Sequence, residues 1–468
     1  MTDKVVINPV TRISGYLQIT AYIEKNKIID AKSQGMLFRG FEKMLKGRPP
    51  LDAIYFTERI CGICSTAHSM ASSRALENAF KIQPDKNEEM IRDVLHGSEF
   101  LQNHLRHFYQ YVIPDYVKGF DINPIYSVTH EDFRIPKRES EKIVKDYFQS
   151  LIYSRKAHEI LAVLGGKAPH NHGVFAGGVT VNITAQKIVQ IKALVTEIKN
   201  FIENNMLEDL GIIAKYYKDY FNIGTGCKNL MTYGVFDSYG KDVYYVTPGI
   251  IIDGVEEKLN IENINENVYR SWYKAKGDTL DISDNNWEVD PFKQQGYSFI
   301  KAPRYKGHAV QVGPLARMYI SGEYRRGIST MDRIVARALE AKKIANIMMQ
   351  LLERIVPKDS TNKAFSLPKN AVGYGFIDTT RGSLAHYVNI QQGEIKNYTI
   401  ITPSTWNLSP KDSNGISGAL EQSLIGTQVD NPKNPTEIGR IVRSFDPCVS
   451  CATHVLSKDF STMDIRVV

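Results

Sequence analysis

The side chains with the most chemistry in this 468-residue chain are its cysteines. Four of the five fall into two pairs, Cys61-Gly62-Ile63-Cys64 and Cys448-Val449-Ser450-Cys451. A Cys-x-x-Cys spacing lets two sulfurs converge on one metal ion or close one redox disulfide. The pairs stand near opposite ends of the sequence, so a shared four-thiolate centre needs one large domain that clamps it between those ends. By spacing alone structural zinc remains open beside nickel and iron, because soft thiolates suit all three. His170 and His172, two residues apart in a glycine-rich run, read as loop histidines, and Cys227, with no second cysteine nearby, reads as a plain thiol.

The elements that must position these sulfurs are mostly helical. Apolar residues recur with helical rhythm over Asn87 to Ile113, where Pro114 stops them, over 142 to 164, closed by Gly165-Gly166, and over Thr184 to about Tyr220, with a break expected near Gly211. A fourth helix is expected from Ser329, its cap, to about Ile355. Together these predict a central bundle of long helices. His68 to Phe80 reads as a helix of small residues suited to close packing. Lys4 to Lys27 reads as two extended segments about a turn, Gly35 to Gly47 as a short helix, and Leu384 to Ile401 as a hairpin closed near Gln392-Gly393. Between about 221 and 299 the texture changes to short strands, with Leu259 to Ile264 among them. No linker divides the chain, so the fold class is α+β in a single large domain over 1–468, mainly helical with peripheral small sheets.

Arg59-Ile60-Cys61-Gly62-Ile63-Cys64-Ser65-Thr66-Ala67-His68 and Ser444-Phe445-Asp446-Pro447-Cys448-Val449-Ser450-Cys451-Ala452-Thr453-His454 resemble the two signatures of the large subunit of nickel-iron hydrogenases. The resemblance continues in family order through Thr11-Arg12-Ile13, Arg39-Gly40-Phe41-Glu42, His107-Phe108-Tyr109, Lys301-Ala302-Pro303-Arg304-Tyr305, Val312-Gly313-Pro314-Leu315-Ala316-Arg317, Arg381-Gly382 and Thr405-Trp406-Asn407. It implies a subunit that reversibly cleaves hydrogen to protons and electrons. It makes Cys61 and Cys448 terminal nickel ligands and Cys64 and Cys451 bridges to an iron that also carries one carbon monoxide and two cyanides. It assigns Glu42, His454 and a backbone carbonyl near Ile400 to magnesium or another divalent ion. Arg381 would stand over the open side of the metals with Asp446 orienting it. His68, one turn beyond Cys64, is placed to hydrogen-bond toward a bridging sulfur.

Departures from the family accompany these matches. Ser14 stands where the family has the glutamate that first relays protons, Asn103 where many relatives have aspartate, Asp378 in place of a glutamate before Arg381, and Gln311 in place of another. Ile63 and Tyr111 are bulkier than usual along the expected gas channel, as in oxygen-insensitive sensor relatives. The competing readings are therefore a hydrogen-sensing regulatory subunit with low turnover and a non-catalytic redox-complex subunit of the same fold. Retention of all four cysteines opposes the second.

The chain has no cysteines left for an iron-sulfur cluster, which implies a separate small subunit carrying clusters, through which a membrane electron acceptor would also attach. Family maturation implies accessory proteins and an endopeptidase that removes 455–468. Composition adds exclusions. The net charge of +7 is scattered, which disfavours nucleic acid as a partner. No export signal or apolar run long enough to span a membrane is recognisable, so a cytoplasmic or partner-anchored location is expected, with co-export through the partner open.

Overall fold

One flank of the helix Ser65–Phe80 is lined with serine and alanine, and its neighbour shows why. The strand Ala371–Thr379 lies directly on it: a Cβ added at Gly373 or Gly375 would fall 2.1 Å from the carbonyl oxygens of Ala75 or Ala71. Helix and strand backbones therefore touch, which only small residues permit. That strand opens an antiparallel sheet with Gly382–Gln391 and Glu394–Ile401. The last two form the expected hairpin, turning at Gln392 and Gly393 with φ of 56° and 85°, as a tight two-residue turn demands.

The computed structural model describes residues 2–120, 130–237, 244–283, 286–359 and 365–452, with the backbone alone for 451 and 452. The expected bundle is present. Lys86–Arg106, Lys137–Gly165, Ala185–Phe201 and Thr330–Arg354 pack in a closed ring, each against two of the others. Two capping boxes fix where helices begin, Asp85 with Glu88 and Ser329 with Asp332. The largest apolar cluster fills this ring and reaches Cys61, Cys64 and Cys448.

Several expected boundaries are corrected. The break placed near Gly211 falls earlier, at the wide π turn Ile202–Met206, and Gly211 continues the helix Leu207–Tyr216. A glycine in a helix costs about 1 kcal/mol, which tertiary packing overrides. The N-terminal region has three strands, Asp3–Ile7, Leu17–Glu24 and Lys27–Gly35; the third buries small residues such as Ala31 and Ser33 and so lacks a strong apolar alternation. The helix expected from Gly35 shrinks to Phe41–Met44, and Leu259 to Ile264 is chiefly a 3₁₀ turn leading into the strand Ile264–Asn267. No helix among the described residues is long and apolar enough to cross a membrane.

Candidate metal centre

Cys61 follows the helix Asp52–Glu58 in a turn held by its own N–H on the Glu58 carbonyl, 3.3 Å, and Cys64 is the N-cap of Ser65–Phe80. The distant pair arrives by strand-like pairing. Ser14 N–H donates to Pro447 O at 3.1 Å and Val449 N–H to Ser14 O at 2.7 Å, making a parallel bridge between Ser14 and Cys448. Gly15, at φ 88°, permits this approach, because a Cβ there would lie 2.5 Å from the Ser450 nitrogen. The Cys448 N–H is fixed by Ser404 Oγ, 3.0 Å.

The result is a buried sulfur cluster. Cys61 Sγ and Cys448 Sγ are 3.3 Å apart, far beyond a disulfide bond of about 2.05 Å, and the sulfurs of Cys61, Cys64 and Cys448 all lie within 4.8 Å of one another. This is the one such group of metal-ligating side chains found among the described residues. Cys451 belongs to the helical turn Val449–Ala452, described by backbone only, and His454 and the tail 455–468 lie outside the described residues.

A charged wall stands beside the sulfurs. Arg381 donates from Nε to the Asp446 carbonyl and from Nη2 to Asp446 Oδ1, both 2.9 Å, and from Nη2 to Asn103 Oδ1 at 3.1 Å. Its Nη1 is buried and has no partner among the described residues. Asp446 Oδ2 accepts from Asn103 Nδ2, 2.8 Å, and meets Arg337 Nη1 at 3.2 Å. Burial alone would push the Asp446 carboxyl up, but Arg381 and Arg337 outweigh it and hold the group well below the usual carboxylate range. Burial likewise opposes the charge on Arg381, yet Asp446 and the three cysteines raise its pKa further, so it is a fixed cation.

Behind this wall Arg337 also touches His104 Nδ1, His104 Nε2 meets Glu340 at 2.7 Å, and Glu340 pairs with Arg317, which reaches Asp378 at 2.9 Å. Of the four departures, then, Ser14 and Asn103 adjoin the centre. Asp378 serves Arg317, Thr232 and Ser383, and Gln311 serves Arg333, so those two are not at the sulfurs themselves.

Sequence reasoning missed two buried carboxyls beside the cysteine segments. Glu99, on Lys86–Arg106, accepts from the amides of Thr66 at 2.7 Å and Ala67 at 3.2 Å, supplying the N-terminal cap that the Cys64 side chain does not. Burial pushes its carboxyl up to about 7, against those amide bonds and Arg381. Glu58 is also buried, with Oε1 unpartnered among the described residues; burial pushes it up to about 8, and Glu99 adds to the shift. The available signal was a first turn beginning on a cysteine, which offers its amides to a carboxylate from elsewhere.

His68 is buried one turn past Cys64, and its Nδ1 meets His386 Nε2 at 3.1 Å. Glu42 is not a surface carboxylate: Oε1 accepts from the Ile400 N–H at 2.8 Å and Oε2 lies 3.3 Å from Lys301 Nζ. Lys301 also binds Glu266 at 2.7 Å, while Glu266 Oε1 has no partner among the described residues. These groups line a cavity of about 70 Å³ with Ile400. Ile63 packs partly buried on the main core, and Tyr111 accepts a hydrogen bond from Arg12 through its carbonyl. Cys227 is buried away from the cluster with its Sγ near the Ala309 carbonyl, 3.5 Å.

Fold and site together define a subunit that buries a three-cysteine metal-binding site between two remote segments. The sequence model of the nickel-dependent hydrogenases matches residues 39–127, 121–327 and 320–454, and the chain belongs to that family. It is 35% identical to the periplasmic [NiFeSe] hydrogenase large subunit of Desulfomicrobium baculatum, over 97% of this chain and 95% of that protein. It is 28% identical to the hydrogenase-2 large chain of Escherichia coli K12, over 98% of each. The solved [NiFeSe] hydrogenase structures from Dm. baculatum and D. vulgaris Hildenborough superpose with a TM-score of 0.93 at 34% and 35% identity, covering 97% of this chain and all of those chains. This chain is accordingly a large, catalytic hydrogenase subunit acting on hydrogen, and a large subunit implies a small companion. All four of its motif positions are cysteine.

Proposed function

We propose that Cys61, Cys64, Cys448 and Cys451 would hold a nickel-iron centre whose iron also takes one carbon monoxide and two cyanides. When bound, that group supplies an open, sulfur-rich site for splitting dihydrogen into two protons and two electrons, or for the reverse. The observation that carries this reading is the buried three-sulfur cluster beside a guanidinium whose Nη1 has no partner among the described residues. Arg381 acts as a fixed cation that polarises the reacting molecule, not as a base, because Asp446 and the thiolates favour its charged form. Asp446 aims it, and Asn103 and Arg337 hold Asp446.

Glu42, His454 and the Ile400 carbonyl take magnesium or another hard divalent cation near the cavity of about 70 Å³. The oxygen of buried Glu266 that has no partner among the described residues supports a cation there, shared with Lys301. Protons pass Ser14 only as a hydroxyl in a hydrogen-bonded chain, and Ser450 Oγ stands 3.3 Å from it. Electrons leave through an iron-sulfur small subunit, with any membrane acceptor attached to that partner. Accessory proteins install the metals, and an endopeptidase then cuts after His454. The single-domain reading, with the strand-rich region at 221–299, is retained.

The test is metal analysis of the assembled complex with infrared detection of the diatomic ligands, hydrogen uptake and mass measurement of the chain. Nickel and iron near equal amounts with carbon monoxide and cyanide bands, and a chain ending at His454, are expected. Zinc alone in matured material would sink the assignment. A filled centre with negligible turnover would favour the sensor reading.

A further inference from the structure

Arg337 reaches Asp446 from a helix that also carries Glu340 one turn on, and His104, on Lys86–Arg106, stands between the two. Arg337 Nη1 has two hydrogens and three neighbours. His104 Nδ1 and the Thr380 carbonyl both lie in hydrogen-bonding geometry at 3.2 Å, whereas Asp446 Oδ2, also at 3.2 Å, is met as an ion pair. Arg337 Nε has no partner among the described residues. The direction in which this guanidinium faces Asp446 is therefore set by His104 and Thr380.

The carbonyl always accepts, but the imidazole does so on one condition. A neutral ring has one donor and one acceptor nitrogen, so Nδ1 takes a hydrogen from Arg337 only while the ring's own hydrogen sits on Nε2. Glu340 supplies that condition. Its Oε2 stands 2.7 Å from His104 Nε2, and its carboxyl also accepts from Arg317 Nε at 2.7 Å, Arg317 Nη2 at 2.8 Å and the Tyr245 hydroxyl at 2.5 Å. Arg317 outweighs burial and keeps Glu340 ionised, and a carboxylate can only accept. Burial pushes His104 down to about 4, so the ring is neutral at ordinary pH and its one hydrogen belongs on Nε2. With the hydrogen on Nδ1 instead, His104 would aim a donor at the guanidinium and a lone pair at the carboxylate. All of these side chains are buried, where such mismatches cost most.

We propose that His104 is a positioning residue for hydrogen turnover: Glu340 fixes its tautomer, its bare Nδ1 holds Arg337 against Asp446, and Asp446 in turn aims Arg381. This rests on Arg381 being the cation that polarises the reacting molecule. None of the four supporting side chains has to move or change protonation during turnover.

Two substitutions separate the two ring nitrogens. Asparagine carries its amide where Nδ1 lies and glutamine where Nε2 lies, so His104→Asn keeps an acceptor for Arg337 and His104→Gln keeps a donor for Glu340. Arg317 and Tyr245 still donate to Glu340 in both. In the assembled complex, with metal content measured on each sample, His104→Gln should lower kcat for hydrogen about ten-fold or more at unchanged KM, and His104→Asn no more than about three-fold. In an Arg381→Lys background that difference should vanish, because the two positions act through one another. Neutron diffraction from the wild-type complex should place hydrogen on His104 Nε2 and none on Nδ1. Equal losses in the two variants, or the greater loss in His104→Asn, overturn the proposal, since they mark a residue that fills space or serves Glu340. A hydrogen on Nδ1 overturns it too, and that measurement needs no variant to fold. A difference that persists undiminished in Arg381→Lys overturns the route through Arg381. An Arg381→Lys enzyme as active as the wild type would overturn the reading of Arg381 itself, and the proposal with it.

Discussion

The buried carboxyls near the metal centre are used in two opposite ways. In the charged wall, Asp446 is matched by Arg381 and Arg337, and the cations drive its pKa far down. Beside the cysteine segments, Glu99 accepts from two neutral amides and Glu58 meets the exposed Arg59 at 3.4 Å, and burial lifts them to about 7 and about 8. The charged wall keeps its charge at every physiological pH; the other two carboxyls gain and lose protons there. A site can thus combine a permanent field with titrating groups, and the difference lies in whether a buried carboxyl is gripped by two buried guanidinia, as Asp446 is, or is left to peptide N–H groups or one exposed arginine.

Removing the carboxylate from the charged wall should do most damage. Asp446→Asn leaves two buried guanidinia with no anion between them, and breaking such a pair costs about 3–5 kcal/mol. Denaturant unfolding should show that loss together with abolished hydrogen uptake; an unchanged midpoint would mean the wall is not held by charge. Arg381→Lys keeps the cation but loses the planar fork that Asp446 grips. Hydrogen turnover is expected to fall roughly 10²- to 10³-fold, the range for one electrostatic stabiliser, at unchanged metal content. Equal activity would show that any positive charge suffices.

Glu99→Gln probes the titrating groups. Because the folded pKa of about 7 lies above the ordinary 4.5, the stability tied to the neutral carboxyl is complete below that ordinary value and disappears as pH rises through 7. The amide oxygen can accept from Thr66 or Ala67 but not from both, since each N–H now meets a different carboxylate oxygen, so the variant should be less stable throughout and should flatten the stability profile across this window by on the order of 3 kcal/mol. An identical slope in wild type and variant would remove Glu99 as a titrating group. The smallest effect is expected at Ser14, which belongs to neither set. Ser14→Glu should raise hydrogen uptake at most about ten-fold, since nothing near position 14 evolved to orient a carboxylate. The gain should come with a smaller solvent isotope effect; a wild-type rate indifferent to heavy water, with no gain in the variant, would exclude proton transfer there as the slow step.

How much of this the sequence disclosed depends on what each residue's position relies on. The cysteine pairs, Arg381 and Asp446 lie in short motifs whose local order carries meaning, and the long helices show in their apolar rhythm. Arg337, Glu99 and His386 lie inside otherwise ordinary elements. Their roles exist only because Lys86–Arg106 and Gly382–Gln391 pack on Ser65–Phe80 and Thr330–Arg354 packs on Lys86–Arg106, and helix rhythm reports which face is buried, not which neighbour it meets. Asp446 itself sits at φ 53°, a backbone turn that tertiary contacts impose and no spacing reveals. The misplaced break at Gly211 has the same origin, since a π turn is a matter of packing and leaves no residue signature.

The pairing of Ser14 with Cys448 also has a consequence in time. Cys61 and Cys448 are 387 residues apart, so at about 5–20 residues per second of synthesis the first cysteine pair emerges roughly 20 to 80 seconds before the second exists. During that interval Cys61 and Cys64 are without Cys448, whose sulfur stands 3.3 Å from that of Cys61 in the finished fold. The Ser14 bridge is therefore among the last contacts this chain can make, and docking of the closing segment beside Ser14 is the step that completes the sulfur cluster.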